Sequence, residues 1–189
     1  MAGHGFHVHG PHDHELEHAA HSNDIFSSKI AVMTAIMATV GALLGYEGGA
    51  TQNSAAMLKN SAAINKTEAS NRWSHYQAKS SKQNLAELAL LLPASDVKKY
   101  ETEIERYKAE KDQIKKEAEA FEQRVVELEK ASDEALHQHH RWAQAMTAVQ
   151  IAISLAAIAL LTKKKWLEYT SYSVAAAGLG IAALAWMHI

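Results

Sequence analysis

The run AQAMTAVQIAISLAAIALLTKKKWLEYTSYSVAAAGLGIAALAWMHI, residues 143–189, holds two apolar segments, 143–161 and 167–189, joined by a basic turn. Each is close to the ~20 residues that an α-helix needs to cross the hydrocarbon core of a bilayer. Trp142 opens the first segment, Trp166 opens the second and Trp186 lies near its end. That order puts Trp142 and Trp186 at one interface and Trp166 at the other, as an aromatic belt requires. A third apolar segment, residues 30–46, lies far upstream, and the polar residues between read as helix almost throughout. The expectation is an all-α fold: three transmembrane helices with a long antiparallel coiled-coil hairpin between the first and the second. The divisions are a His-rich disordered tail at 1–23, the first transmembrane helix at 24–50 and an extramembrane hairpin at 51–141. Transmembrane helices at 142–162 and 166–189 follow, with the basic turn 163–165 between them.

Composition agrees once it is taken by segment. An apolar share of 48% averages the spans with a heavily charged middle. Nine Gly, two Pro and no Cys argue against a loop-rich β fold and exclude disulfides and thiolate metal sites. The net charge is −2 with His neutral, and no basic patch supports a nucleic-acid partner.

The tail carries His4, His7, His9, His12, His14, His18 and His21 with little apolar material, so it cannot bury a core. It lacks the basic and apolar regions of a signal peptide. Asp24 or Ser22 would cap the first membrane helix. Within that helix Gly41, Gly45 and Gly49 form two overlapping G-x-x-x-G steps beside Ala38 and Ala42. Small residues on one face admit another helix closely, so these glycines are the expected helix contact, within the chain or with another subunit.

In the hairpin, Leu85, Leu88 and Leu92 mark an apolar edge, while the stripe upstream is weak, with Ile64, Trp73 and Tyr76 its largest members. Pro93 breaks the helix, and Ser95 as N-cap with Asp96 as first-turn acid restarts it. The returning helix is strongly periodic. Val97, Tyr100, Ile104, Tyr107, Lys111 and Ile114, then Ala118, Phe121, Val125, Leu128, Ser132 and Ala135, alternate steps of three and four. This is a heptad seam, interrupted mainly by Lys111 and Ser132. Folding about Pro93 brings Lys111 near Trp73, His75 and Tyr76, where it would lie over a ring or, as expected, snorkel outward.

The run NRWSHYQAKSSKQ at 71–83, the YETEIERYKAEKDQIKKEAE helix, the HQHHRWAQA return and the TKKKW turn resemble the bacterial family of domain of unknown function 4337. Trp73, Tyr76, Gln77, Ala78 and Lys79 are the most specific part, and the likeness covers nearly the whole chain. The resemblance implies the three-span, helical-hairpin layout and no activity.

Candidate chemistry is sparse. The seven tail His, with Asp13, Glu15 and Glu17, offer imidazole and carboxylate donors suited to Zn, Ni or Cu, without a fixed geometry. Glu134 and His137 form a single E-x-x-H pair, of which di-iron bundles use two, so an interfacial polar collar beside Trp142 is the plainer reading. No cofactor is expected beyond such loosely held metal. No nucleophile with a base and no phosphate loop occurs, so an enzyme is not expected. The spans hold uncharged Thr34, Thr147, Gln150 and Ser154, with Glu47, Glu168 and His188 near their ends, so no buried charge marks an ion route.

The functional expectation is a structural or scaffolding membrane oligomer that projects its coiled-coil arm toward a partner protein or its own copies. The alternative is a metal- or pH-responsive sensor or channel-like regulator that uses the His tail or collar, since an ordinary His titrates near pH ~6.5. The lipid bilayer is the expected surround and the bacterial inner membrane the expected location. Lys163, Lys164 and Lys165 occupy the shortest loop, where basic residues bias topology most, which puts the turn and the tail inside and the hairpin outside.

Overall fold

The computed structural model describes residues 25–93 and 96–187. They form three helices, α1 (Ile25–Ala89), α2 (Val97–Thr162) and α3 (Lys165–Trp186), with no strand among the described residues. The tail and its seven His, together with Ser95 and His188, lie outside the described residues. The two long helices contain no proline and pack together. The chain divides into two compact units, one of residues 53–135 and one of the remainder.

In the 53–135 unit the helices run antiparallel. The links Lys59–Glu129 (3.6 Å), Arg72–Glu117 (3.0 Å) and Lys79–Glu110 descend α1 as they climb α2. Every heptad position from Tyr100 to Ala135 is buried or half-buried, as the period requires, while Val97 at the start is exposed. The facing seam of α1 is made of small residues. Ala55, Ala62 and Ala69 are buried at seven-residue intervals, with Leu58, Asn65, Arg72 and Tyr76 half-buried between and beyond them. Ile64 and the edge formed by Leu85, Leu88 and Leu92 point outward instead, because the register set by the alanines turns those positions away from α2. Lys111 keeps its place in the seam rather than snorkelling. Its ammonium lies 5.0 Å from the centre of the Tyr76 ring and donates to Gln83 Oε1 at 3.1 Å.

At the tip, Leu91 N–H bonds Leu88 O and Leu92 N–H bonds Ala89 O, which tightens the end of α1 before Pro93. Asp96, expected as a first-turn acid, is itself the cap of α2: its Oδ1 accepts the Lys99 N–H at 3.2 Å.

The other unit is a three-helix packing. α2 supplies a buried alanine stripe, Ala145, Ala152, Ala156 and Ala159 around Val149, against Ile30, Met37 and Leu44 of α1 and Leu167, Ala182 and Ala185 of α3. α2 and α3 are joined through Lys163 and Lys164. Lys163 has a left-handed backbone (φ 55°), the conformation that ends a helix sharply. Segments of α1 and α2 are long and apolar enough to cross a membrane. α3 has the length, at 22 residues, but its first two and a half turns carry Glu168, Tyr169, Thr170, Ser171, Tyr172 and Ser173 and lower its apolarity.

Candidate functional site

Of the three expected glycines, Gly41 and Gly45 face α2 within the chain, and Gly48 joins them. A Cβ built on Gly41 would meet Val149 at 3.5 Å, one on Gly45 the Met146 sulfur at 3.4 Å, and one on Gly48 the Trp142 Cβ at 3.5 Å. Gly49 faces open space. The reason is the period: helices packed at a heptad step from 41 to 45 to 48, whereas a strict four-residue step drifts off the face. The tightest glycine is on α3. A Cβ on Gly178 would stand 3.0 Å from Ala148 Cβ and 3.2 Å from the Ala145 carbonyl oxygen.

Polar side chains gather at the two ends of this packing. At the turn end Glu168 is 5% exposed, a buried carboxylate where the sequence suggested one near a boundary. Lys29 Nζ stands 3.2 Å from its Oε1, and the Tyr172 hydroxyl donates to the same oxygen at 3.3 Å. Lys163 reaches across to donate to Ser27 Oγ and lies over the Phe26 ring. One turn along α3, Ser171 is fully buried and donates to the Ala152 carbonyl at 2.7 Å. Buried charge and hydroxyls here are paired, as burial in a medium of low polarity demands.

At the opposite end, His139 Nδ1 lies 2.7 Å from the Gly48 carbonyl, so that nitrogen carries the proton, and Gln138 donates to the Ala185 carbonyl at 3.4 Å. Trp142 is 4% exposed, and its Nε1–H has no acceptor among the described residues. Beside it lies an open pocket of about 410 Å³ lined by Leu43, Leu44, Glu47, Trp142, Ala182, Ala183 and Trp186. The Glu47 side chain is half-buried and has no hydrogen-bond or ion-pair partner among the described residues.

A separate groove runs along the outside of α2, lined by His137, His140, Arg141, Gln144, Thr147 and Ile151 among others. Glu134 is exposed and 3.9 Å from Lys130. No group of three or more His, Asp or Glu that could hold a metal ion occurs among the described residues. The orphan indole and the Glu168 pair were not legible as sites, because each depends on which face of a helix its neighbours cover. The one available signal was the presence of Glu and Gln inside or beside apolar segments.

No curated protein and no solved structure matches this chain. The family model described as domain of unknown function (DUF4337) matches residues 26–188. The all-helical architecture and this match over most of the sequence agree with the resemblance carried by residues 71–83, and the chain belongs to that family.

Proposed function

We propose that the protein is a non-enzymatic scaffold of the bacterial inner membrane: a three-span anchor that self-associates and carries a coiled-coil arm for a protein partner. The observation that carries this reading is the outer face of α2. His137, His140, Gln144, Thr147, Ile151, Ser154, Ile158 and Leu161 follow a heptad step, and every one of them is exposed. Thr147 and Ser154 bond their own helix, to Ala143 O at 2.8 Å and Gln150 O at 3.0 Å. Gln144 and the neighbouring Gln150 are exposed with no side-chain partner among the described residues. The outward positions of α1 include the apolar Val32, Ile36 and Leu43, and its outward Thr39 bonds its own helix at Ala35 O.

An amide facing hydrocarbon leaves donors and an acceptor unsatisfied at a cost of several kcal/mol, so this face calls for a partner. A primary amide both donates and accepts, and a second copy presents the same group at the same depth. Gly41, Gly45 and Gly48 face α2 within the chain, and the outer α2 face is the surface proposed for self-association. Trp142 is buried in the core rather than at an interface, so the exposed Trp166 and Trp186 at the two ends of α3, with the paired Lys29–Glu168 at the turn end, are what support the bilayer setting, and α3 completes the anchor by packing its small-residue face on α2.

The test is the mass of the purified particle in detergent. Gln144→Leu with Gln150→Leu should shift an oligomer toward monomer, while the same change at Ala35 and Thr39 on α1 should not. An unchanged mass in the double glutamine variant would refute the α2 interface. The metal- or pH-responsive reading rests on the tail, and zinc titration of the full chain tests it through any change in that mass.

A further inference from the structure

Beyond its seam with α2, the arm portion of α1 has an outward face of distinctive composition. From Met57 to Leu92, the positions taken in alternate steps of three and four are all exposed, and none is charged. Met57, Ile64, Leu85, Leu88 and Leu92 stand on that stripe, each 57–65% exposed. Thr67 and Ser81, between them, turn their hydroxyls onto their own helix at Ala63 O (3.0 Å) and Gln77 O (3.1 Å). The outward stripe of α2 in the same unit carries Lys99, Arg106, Lys116, Glu127, Lys130 and Glu134, all exposed, as a face kept in water does. The α1 stripe is instead spaced as a heptad seam with no helix laid in it, and large apolar residues aligned on a surface mark a contact.

We propose that this stripe pairs with the same stripe of a second copy, antiparallel, about a twofold axis near residue 76. The pairing names the partner left open for the arm and rests on that scaffold reading. Charge and apolar register both select it. One border of the stripe holds an acid and a base, Glu68 and Lys82, with His75 midway between them. The opposite border, taken every seven residues from Ala56 to Leu91, is uncharged. Neither Glu68 nor Lys82 has an ion-pair partner among the described residues. Turned about the axis, Glu68 of each copy meets Lys82 of the other, while Ile64 meets Leu88, Thr67 meets Leu85 and Ala63 meets Leu91. The midpoint of the charged pair, residue 75, and that of Ile64 and Leu88, residue 76, fall within one residue of each other. A parallel pair sets both charges against uncharged residues, and a partner with a charged face would bury that charge without a counter-ion. In the antiparallel pair the bases of the two arms, near Asn53, lie about 70 Å apart at opposite ends.

The experiment is disulfide capture between full-length copies in detergent micelles, with no native cysteine to interfere. Thr67→Cys and Leu85→Cys, each exposed and carried on differently tagged copies, should give a mixed dimer when combined under mild oxidation. Either variant alone should not, because the two copies of position 67, like those of position 85, lie about 27 Å apart in this register. Glu68→Lys on both copies should lower the yield about tenfold, and adding Lys82→Glu should restore it. Dimers of Thr67→Cys with itself, in place of the mixed species, would overturn the antiparallel arrangement. Absence of every disulfide would overturn pairing through this face, and a yield indifferent to both charge changes would overturn the register. The pairing depends on concentration, so unfolding of dilute protein reads the single arm. The anchor interface is read separately. The mixed disulfide should persist with Gln144→Leu and Gln150→Leu. A particle mass that responds to those glutamines without any disulfide refutes this proposal alone, and a disulfide with an unresponsive mass refutes the α2 interface alone.

Discussion

Ser132 on α2 donates its hydroxyl to the main-chain carbonyl of Ala55 on α1, 2.9 Å away, and both residues are buried. A side chain reaches a carbonyl across a helix pair only where the facing residue is small, and the alanines at 55, 62 and 69 provide that approach. The serine that interrupts the hydrophobic heptad is therefore a cross-link of the pair.

Replacing Ser132 with Ala should lower stability by about 1 kcal/mol, because a buried hydrogen bond is lost. Ser132→Val, close in shape but without a donor, should cost at least as much. Denaturant unfolding of the full protein followed by circular dichroism measures both, and no shift for either would show that the bond is not formed in solution.

The two sides of the seam should respond in opposite ways to size. Ile114→Ala opens a cavity and should cost about 2–5 kcal/mol, whereas Ala62→Leu overpacks the close approach and should cost about 1–3 kcal/mol. Leu88→Ala at the exposed edge should stay within about 0.5 kcal/mol. Comparable losses for Leu88 and Ile114 would place the leucine edge inside the arm.

Glycine positions should separate by neighbour. Gly178→Ala presses a methyl group on Ala148 and on the Ala145 carbonyl and should destabilise by about 1–3 kcal/mol. Gly49→Ala meets nothing and should stabilise slightly through helix propensity. Thermal unfolding in detergent distinguishes the two, and equal shifts would contradict the close α2–α3 contact.

Acid should loosen the arm. The Lys79 ammonium, paired with Glu110, holds its carboxyl below the ordinary range. A depressed folded pKa stabilises the folded state above the unfolded value, near pH ~4.3, and that contribution disappears as pH falls through the folded pKa. Glu110→Gln should therefore be less stable than the parent at neutral pH and lose part of the acid-side slope. A parallel pH–stability curve in the variant would show that the pair contributes nothing.

The proposed topology rests on the short basic turn. With the turn cytoplasmic, Lys115→Cys should react with an impermeant thiol reagent in intact cells and Lys164→Cys should not. The protein has no native cysteine to obscure the result. The reverse pattern would invert the anchor.

Sequence alone determined the helical class and the returning seam. Apolar period and helix breakers are local properties, and Tyr100 through Ala135 turn inward on a strict three–four step whatever they pack against. It also determined the break at Pro93 and the family, through residues 71–83. Tertiary structure decided what depends on a neighbour. The α1 seam was hidden because alanine carries little hydrophobic signal, so Leu85, Leu88 and Ile64 drew attention that belonged to Ala55, Ala62 and Ala69. Asp96, expected in the first turn, caps α2 through one oxygen that accepts the Lys99 N–H. Gly48 replaced Gly49 because the contact face follows the partner's heptad rather than a four-residue repeat. The burial of Glu168 beside the exposed Lys29, and the lack of a partner for Glu47 and for the Trp142 N–H among the described residues, arise where α1 and α3 both cover α2. Burial and hydrogen bonding of that kind are made between residues far apart in the chain, which no local pattern records.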